Sequence, residues 1–252
     1  RALRHTSLTP ACAGTPSAAH TYPSRPGLMQ GPASACGATA AVARRFLLVL
    51  DFEATCEDGD RSWRNEVIEF PVVAMEVVES CTSASGVTLR PAGEFREFVR
   101  PTEVPALTAF CTSLTGIAQA DVGGAQALPE VMKSFGRWLG RELGLAPGDS
   151  VLLVTCGDWD LQTCLPRELK RKGLPPPPPP LDRWCNLKIP FGEHTGAGKK
   201  GAHMLGMLEH FGLPLVGRHH SGIDDARNIA AVAKALVEAD ADVRETGRSE
   251  KW

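Results

Sequence analysis

Residues 46–53 read Phe-Leu-Leu-Val-Leu-Asp-Phe-Glu, an apolar run of the length of a buried β-strand that ends in two acids. Side chains alternate between the two faces of a strand, so Asp51 and Glu53 are expected on one face. Two acids held side by side repel each other unless a cation or a proton compensates them, and a hard divalent ion such as Mg²⁺ is the usual partner. The stretch is therefore compatible with a metal site at the tip of a strand, whereas in an isolated Asp-x-Glu the first acid more often simply ends the strand and the second is solvated.

Two later segments supply further acids and histidines. Thr155-Cys-Gly-Asp-Trp-Asp160 follows a second apolar run, and Arg218-His-His-Ser-Gly-Ile-Asp-Asp-Ala-Arg-Asn228 opens a helix. Asp225 lies one turn before Ile229, so it is expected to point toward the core, where the start of the helix favours a carboxylate. Either Ser221 or Asp224 can cap this helix.

With these segments in order, the sequence resembles the DEDDh 3′-to-5′ exonucleases, and within them the enhanced-RNAi (Eri-type) exoribonucleases, which include the prion-interactor branch. The resemblance covers about residues 46–238. Besides the segments above, the shared stretches are Glu-Val-Ile-Glu-Phe-Pro (66–71), Phe-Val-Arg-Pro (98–101) and Phe-Cys-Thr-Ser-Leu-Thr-Gly-Ile (110–117). The resemblance implies an α/β, three-layer ribonuclease H-like exonuclease fold, with a mixed central sheet flanked by helices.

The resemblance also implies roles for individual residues. The metal ligands would be Asp51, Glu53, Asp160 and Asp225, Glu53 would also be catalytic, and His220 would be the general base. The chemistry is in-line attack of water on a phosphodiester, with two divalent ions about 4 Å apart stabilising the attacking and leaving oxygens. Two Mg²⁺ ions are expected, and Mn²⁺ can substitute. An imidazole that titrates near neutrality suits removal of the proton from the attacking water.

Three residues adjacent to the implied set compete with it: His219, Asp158 and Asp224. His219 lies six residues before the last acid, where the family places its histidine five before, so His219 is expected to be a solvated neighbour. The family's acid follows the tryptophan of Gly-Asp-Trp-Asp, which leaves Asp158 at a variable position. The same reasoning leaves Asp224 as the helix cap.

Contacts with the terminal nucleotide are expected from residues that match flanking segments in such enzymes or that can stack on a base: Phe52, Ala54, Leu114, Thr115 and Trp159. For Trp159 a place in the core is the alternative. Candidate phosphate contacts, with a solvated charged face as the alternative, are Lys199, Lys200 and Arg218.

Charge limits how RNA can bind. The formal net charge of −2 combines five arginines and no acid in residues 1–50 with 22 basic against 29 acidic residues in the remainder. A net acidic domain can hold RNA only through a local basic groove and metal ions. The expected partner is an RNA 3′ end, single-stranded or with a 3′ overhang, in RNA 3′-end trimming or in small-RNA or rRNA processing. A DNA-directed or oligonucleotide exonuclease, or a non-catalytic scaffold, are the alternatives.

Composition divides the chain. Residues 1–45 lack acids and are rich in Ala, Ser, Thr, Pro, Gly and Arg, which predicts a disordered extension, and organellar transit segments share this composition. The exonuclease domain is expected at 46–240 and a C-terminal tail at 241–252.

Eight cysteines without a Cys-x-x-Cys pair, and no apolar run of membrane-spanning length, favour a soluble intracellular protein with no membrane partner. The cytoplasm or nucleus is expected, or a mitochondrion or chloroplast if the extension is a transit segment.

Hydrophobic patterns predict the remaining elements. Strands are expected at 66–78, 94–99 and 150–155, and helices at 128–143, 161–172 and 203–211. A last helix is expected from the apolar stripe of Ala226, Ile229, Ala230, Ala233 and Val237. Pro71 indicates that its strand lies at an edge or contains a bulge. Pro175–Pro180 predicts a stiff surface loop, with a ligand for a proline-binding module as the alternative.

Overall fold

The computed structural model of the protein describes residues 43–60, 62–196 and 202–249. Its first strand, β1 (Arg45–Leu50), is buried on both faces. The even-numbered residues from Phe46 to Leu50 join one hydrophobic core, and Leu47 and Val49 join another. Because successive side chains of a strand point in opposite directions, β1 must lie between two packed layers.

One mixed sheet contains seven strands in the described part of the chain: β1, β2 (Glu53–Ala54), β3 (Val67–Glu79), β4 (Val87–Phe98), β5 (Ser150–Thr155), β6 (Arg183–Asn186) and β7 (Gly247–Arg248). β1 is parallel to β5, and β5 is parallel to β6. β3 is antiparallel to β1, β2 and β4, and β7 is antiparallel to β6. The carboxyl ends of β1 and β5 therefore meet at one edge of the sheet.

Helices cover both faces of this sheet: α1 (Ala109–Thr115), α2 (Gln119–Gly123), α3 (Leu128–Arg141), a π-helical segment (Trp159–Cys164), α4 (Leu165–Arg171), α5 (Lys188–Thr195), α6 (Met204–His210) and α7 (Gly222–Glu238). α3, the π-helical segment and α4 pack on the face that contains Leu48. α5, α6 and α7 pack on the opposite face, where Val49 lies. A mixed sheet between helical layers confirms the predicted three-layer α/β fold.

The strand around Pro71 is not an edge strand. β3 pairs with β4 on one side and with β1 and β2 on the other. Pro71 lies where the pairing with β1 ends, at Val72, and before the pairing with β2 begins, at Glu69. Of the two alternatives, the edge is therefore wrong, whereas the register of β3 against β2 does shift at Ile68, as in a bulge. The interruption between β1 and β2 explains how an interior strand contains a proline.

The proline run is a loop between α4 and β6, as predicted. It contains a cis peptide bond between Pro179 and Pro180. Pro177 is buried, and neighbouring prolines border an apolar cavity of about 320 Å³ together with Met132 and Leu169. The run thus packs partly against the domain, and nothing in the described residues supports a role as a ligand for a proline-binding module.

Other expectations lie at the ends of the chain or outside the described residues. Most of the predicted extension, residues 1–42, is outside them, and so are Lys199 and Lys200. The described part of the predicted tail contributes β7, which pairs with β6. Within the described ranges, no helix combines the length and apolar character that crossing a membrane requires.

Candidate active site

Asp51 and Glu53 extend the alternation of β1 beyond its end. Asp51 follows β1 directly, and Glu53 begins β2. They continue the odd-numbered series of Leu47 and Val49, on the face that α7 covers, whereas Phe52 joins the opposite core. One carboxylate oxygen from each of Asp51, Glu53 and Asp225 lies within 4.8 Å of the other two. The structure therefore brings these three acids together.

Asp225 reaches the strand ends because α7 begins unusually close to the sheet. The N–H of Gly222 donates to Glu69 Oε2 at 3.2 Å. A Cβ atom at position 222 would lie only 2.7 Å from the carbonyl oxygen of Asp51. Only glycine fits this approach without displacing the helix. Asp225, in the first turn, is 4% exposed.

Asp160 comes from the π-helical segment that follows β5. Its Oδ1 accepts a hydrogen bond from the backbone N–H of Phe52 at 2.9 Å, between Asp51 and Glu53. Single π-helical turns recur at functional sites because they redirect a side chain. Asp158 is bound elsewhere, since it accepts from Trp184 Nε1 at 2.9 Å and from Asn186 Nδ2 at 2.8 Å. Asp160 therefore lies beside the carboxylate cluster, whereas Asp158 is bound to side chains of β6.

Burial and mutual repulsion shift the pKa values of this cluster upward. Burial, followed by the charges of Asp160 and Glu53, raises the pKa of Asp51 well above its usual range. Burial and the nearby Glu69 raise the pKa of Glu53 to about 9. Burial also raises the pKa of Asp160 to about 6, against the opposing effects of the Phe52 N–H and Lys188. Hard oxygen ligands that repel each other fit a divalent cation, which would remove the repulsion.

His219 and His220 lie against each other beside Asp225. Their ring centroids are 3.9 Å apart, with an angle of 19° between the ring planes. Nδ1 of His219 lies 3.0 Å from Asp225 Oδ2, and the backbone N–H of His220 donates to the same oxygen at 2.9 Å. His219 is therefore a partly exposed neighbour of the cluster that also contacts Asp225, a contact that the spacing did not predict.

His220 has a backbone conformation that few residues adopt. Its φ is 64°, in the left-handed region, which a non-glycine residue occupies only where its surroundings hold it. Burial and the neighbouring His219 lower the pKa of His220, against the opposing charge of Asp225. The lowered pKa favours the neutral imidazole, which is the form that can accept a proton.

The residue at the start of α7 is not the one that was expected to cap this helix. Ser221 occupies the N-cap position without a capping hydrogen bond from its side chain, and Asp224 lies inside the first turn. Asp224 accepts the backbone N–H of Arg218 at 3.0 Å and pairs with Arg227. The prediction that Asp224 is the cap is therefore wrong, because its side chain holds the preceding loop instead.

A cavity of about 350 Å³ lies between Glu69 and the loop before α7, and none of Asp51, Glu53, Asp160 and Asp225 lines it. Thr115, Arg96 and Arg218 contribute to its lining. Arg218 packs closely over Gly116, where a Cβ atom would collide with the guanidinium group, and it donates to the carbonyl oxygen of Ser113 at 2.7 Å. This contact connects the loop before α7 to the end of α1.

The other predicted nucleotide contacts lie in several environments. Phe52 and Ala54 are buried, and Leu114 is half-buried. The hydroxyl of Thr115 donates to the carbonyl oxygen of Cys111 within α1. Trp159 is 43% exposed, so the alternative of a core position is wrong for this side chain.

Glu69 is a residue near the cluster that the sequence analysis missed. It is fully buried on β3, directly opposite Glu53 in the β2–β3 pairing. It accepts from Arg96 Nε at 2.7 Å as well as from the N–H of Gly222. The available signal was the second glutamate of Glu-Val-Ile-Glu-Phe-Pro, since an acid within an otherwise apolar strand needs a buried partner.

The fold and the carboxylate cluster together indicate the class of protein. The nuclease domain of 3′hExo, a DEDDh family member bound to rAMP, superposes with a TM-score of 0.72 at 31% identity, covering 81% of this chain and 96% of that one. The protein therefore has the ribonuclease H-like fold of the DEDDh nucleases.

Sequence comparison then identifies the family. Residues 48–233 match the exonuclease family RNase_T, and the chain belongs to this family, in its DEDDh Eri-type branch. ERI1 exoribonuclease 3 of Homo sapiens is 39% identical over 191 residues, which are 76% of this chain and 53% of the relative. The 3′-5′ exoribonuclease 1 of Mus musculus is 33% identical over 201 residues, 79% of this chain and 55% of the relative. The chain thus spans about half the length of these curated relatives.

Proposed function

We propose that the protein is a 3′-to-5′ exoribonuclease that hydrolyses phosphodiester bonds from the 3′ end of RNA and releases nucleoside 5′-monophosphates. The observation that carries this proposal is the cluster of the half-buried Asp51 with the buried Glu53 and Asp225, with Asp160 attached through the Phe52 N–H. Membership of the exonuclease family and the exoribonuclease names of its relatives support the same activity.

The proposed cofactors are two Mg²⁺ ions, for which Mn²⁺ can substitute, held by Asp51, Glu53, Asp160 and Asp225. When bound, such ions stabilise the attacking and leaving oxygens of an in-line displacement. The raised pKa values of Asp51, Glu53 and Asp160 support this assignment, because burial and repulsion outweigh the opposing effects of Arg218 at Glu53 and of the Phe52 N–H and Lys188 at Asp160.

His220 is the proposed general base, and it removes the proton from the attacking water. Its backbone N–H is fixed to Asp225, so the imidazole stays beside the carboxylates. The lowered pKa of His220 keeps the ring neutral near physiological pH. Glu53 has a second proposed role, since a carboxylate next to the attacking water can orient it.

The terminal nucleotide is proposed to bind beside the cluster, in contact with Phe52, Ala54, Leu114, Thr115 and Trp159, of which Thr115 also lines the cavity. The exposed ring of Trp159 supports stacking on a base. Arg218 supplies local positive charge to a domain that is net acidic, so it is a proposed phosphate contact. The proposed substrate is an RNA 3′ end, single-stranded or with a 3′ overhang, in 3′-end trimming or in small-RNA or rRNA processing.

The proposed domain boundaries are 46–240, and the family match at 48–233 supports them. The described cysteines are all free thiols, which supports a reducing, intracellular compartment. The disordered extension at 1–45 and its possible role in targeting stay predictions from composition.

The test is a nuclease assay of the purified protein with Mg²⁺. End-labelled single-stranded RNA, the matching DNA and an RNA duplex with a 3′ overhang are the substrates, and the products are identified by chromatography. We expect stepwise shortening of RNA from its 3′ end, release of nucleoside 5′-monophosphates and complete loss of activity in EDTA. Activity that is unchanged in EDTA would contradict the metal assignment, and faster digestion of DNA would favour a DNA-directed exonuclease.

A further inference from the structure

The stacked histidines and the carboxylate cluster share Asp225. One ligand atom from each of His219, His220 and Asp225 lies within 4.8 Å of the other two, as in the separate group of Asp51, Glu53 and Asp225. His219 Nδ1 is already 3.0 Å from Asp225 Oδ2. Two groups of ligand atoms thus lie side by side, with one residue in common.

The two groups differ in their chemistry. Three carboxylates offer only oxygen atoms, which suit Mg²⁺ and Mn²⁺. Two imidazoles and one carboxylate suit Zn²⁺ instead, since ring nitrogens are its preferred ligands together with thiolates. Zn²⁺ also accepts three protein ligands with a fourth position open to water. The histidine group therefore favours a metal that the all-oxygen group does not select.

The histidine group is also held in place and accessible. The left-handed backbone at His220 and its N–H bond to Asp225 fix that residue, and the ring stack fixes His219 against it. His219 is 37% exposed, so an ion can reach the group from solvent. Such preorganised ligands need little rearrangement to bind a metal.

We propose that His219, His220 and Asp225 form an inhibitory Zn²⁺ site at the rim of the active site. The site itself follows from the geometry of the three side chains. The inhibition rests on the proposed function, because Zn²⁺ bound there occupies both the proposed general base and one proposed Mg²⁺ ligand. Zn²⁺ and catalysis thus exclude each other, and removal of Zn²⁺ restores activity.

The direct test is binding of Zn²⁺ alone, measured by competition with a chromophoric zinc indicator in the presence of excess Mg²⁺. We expect the wild-type protein to bind Zn²⁺ with micromolar or higher affinity. His219→Gln should weaken this binding at least about tenfold, since even the loss of an outer partner weakens metal sites on that scale. His194→Gln on α5 is the matched control, because this histidine is exposed and lies outside the group.

The second readout is inhibition of RNA hydrolysis. The Zn²⁺ concentration that halves the Mg²⁺-supported rate, measured for each protein against its own rate without Zn²⁺, should rise in His219→Gln by the same factor as the dissociation constant. Circular dichroism verifies that the variant is folded. If His219→Gln does not fold, His220→Gln tests the site by the binding assay alone.

Equal Zn²⁺ affinity in wild type and in the folded His219→Gln or His220→Gln variant would overturn the proposed site, as would the absence of micromolar binding in the wild type. Binding that depends on His219 without inhibition would overturn the inhibitory role. An inactive protein that still binds Zn²⁺ through His219 would refute the proposed exoribonuclease and leave the site supported. The binding and activity assays therefore separate the two proposals.

Discussion

Two groups of buried carboxylates in this domain are compensated in different ways. Glu66 and Glu168 are both fully buried and form salt bridges with the same lysine, Lys172, whose Nζ lies 2.7 Å from Glu66. Glu66 also accepts backbone N–H groups from residues 102–104. In the candidate active site, none of the described lysines or arginines forms a salt bridge with Asp51, Glu53 or Asp160.

The pKa shifts of the two groups reflect how far their charges are compensated. Burial raises the pKa of Glu66, but Lys172 and the backbone N–H groups outweigh it, so the net pKa is lowered. Burial outweighs the same lysine at Glu168, whose pKa is raised. At Asp51 burial and the neighbouring acids act upward, and at Glu53 they outweigh the opposing charge of Arg218. A buried acid with a partner in the chain depends on that partner, whereas a cluster without a salt bridge indicates an external cation.

The largest expected effect is on catalysis by the uncompensated group. Asp51→Asn should lower the rate of RNA hydrolysis by about a thousandfold or more, about 4 kcal/mol in barrier, because it removes the charge of a proposed metal ligand. The stability of the metal-free protein should stay equal or rise, since one source of repulsion is lost. Single-turnover kinetics and urea denaturation measure the two quantities.

Asp158→Asn is the matched control, because it makes the same substitution on the other side of Trp159. It should lower stability by about 1 kcal/mol, through its weakened bonds to Trp184 and Asn186, and leave the rate nearly unchanged. A rate loss as large as that of Asp160→Asn would contradict the choice of Asp160 as the ligand.

The compensated group should respond in stability instead. Lys172→Met removes the shared cation of Glu66 and Glu168, and it should lower the free energy of unfolding at neutral pH by about 3 kcal/mol, because two buried charges lose their partner. The rate of RNA hydrolysis by the folded fraction should not change. Unaltered stability in denaturant titrations would show that the two groups do not differ as described.

His220→Ala should lower turnover about a hundredfold, or about 2.7 kcal/mol, which is the usual contribution of a positioned base. RNA binding should barely change. The acid limb of the pH–rate profile should disappear with the mutated histidine, while His219→Ala keeps it. If the acid limb survives in His220→Ala but vanishes in His219→Ala, the general base is His219 and not His220.

The smallest expected effect concerns the pH dependence of stability without metal. The unfolded chain releases the proton of Glu53 near its usual pKa of 4.5, and the folded protein near 9. Between these values the folded state binds more protons, so this residue makes stability fall as pH rises. Glu53→Gln should reduce that fall by about 1 kcal/mol or more between pH 5 and pH 8. Thermal unfolding in EDTA measures it, and identical slopes in both proteins would contradict the prediction.

Much of the fold follows from local patterns. β1 was predictable because five consecutive apolar residues have the length of a buried strand. α3 was predictable because its apolar residues repeat with helical spacing. The first part of β4, from Val87 to Gly93, was missed because most of its side chains are exposed and it contains Pro91. α1 and α2 are too short to show a period, and only their packing defines them.

The candidate site was predictable in its acids and less so in its neighbours. Strand alternation alone places Asp51 and Glu53 on one face, but their approach to Asp225 depends on the docking of α7 through Gly222. The contact of His219 with Asp225 depends on the left-handed backbone at His220, which no side-chain pattern encodes.

The close fit of Gly222 against Asp51 also concerns the synthesis of the protein. A growing chain contains Asp51, Glu53 and Asp160 long before it contains His220 and Asp225. Contacts between residues so distant in sequence close a large loop and form late in folding. A nascent chain beside its own messenger RNA therefore lacks a complete site, and the proposed nuclease activity requires that the ribosome has released α7 and that this helix has docked.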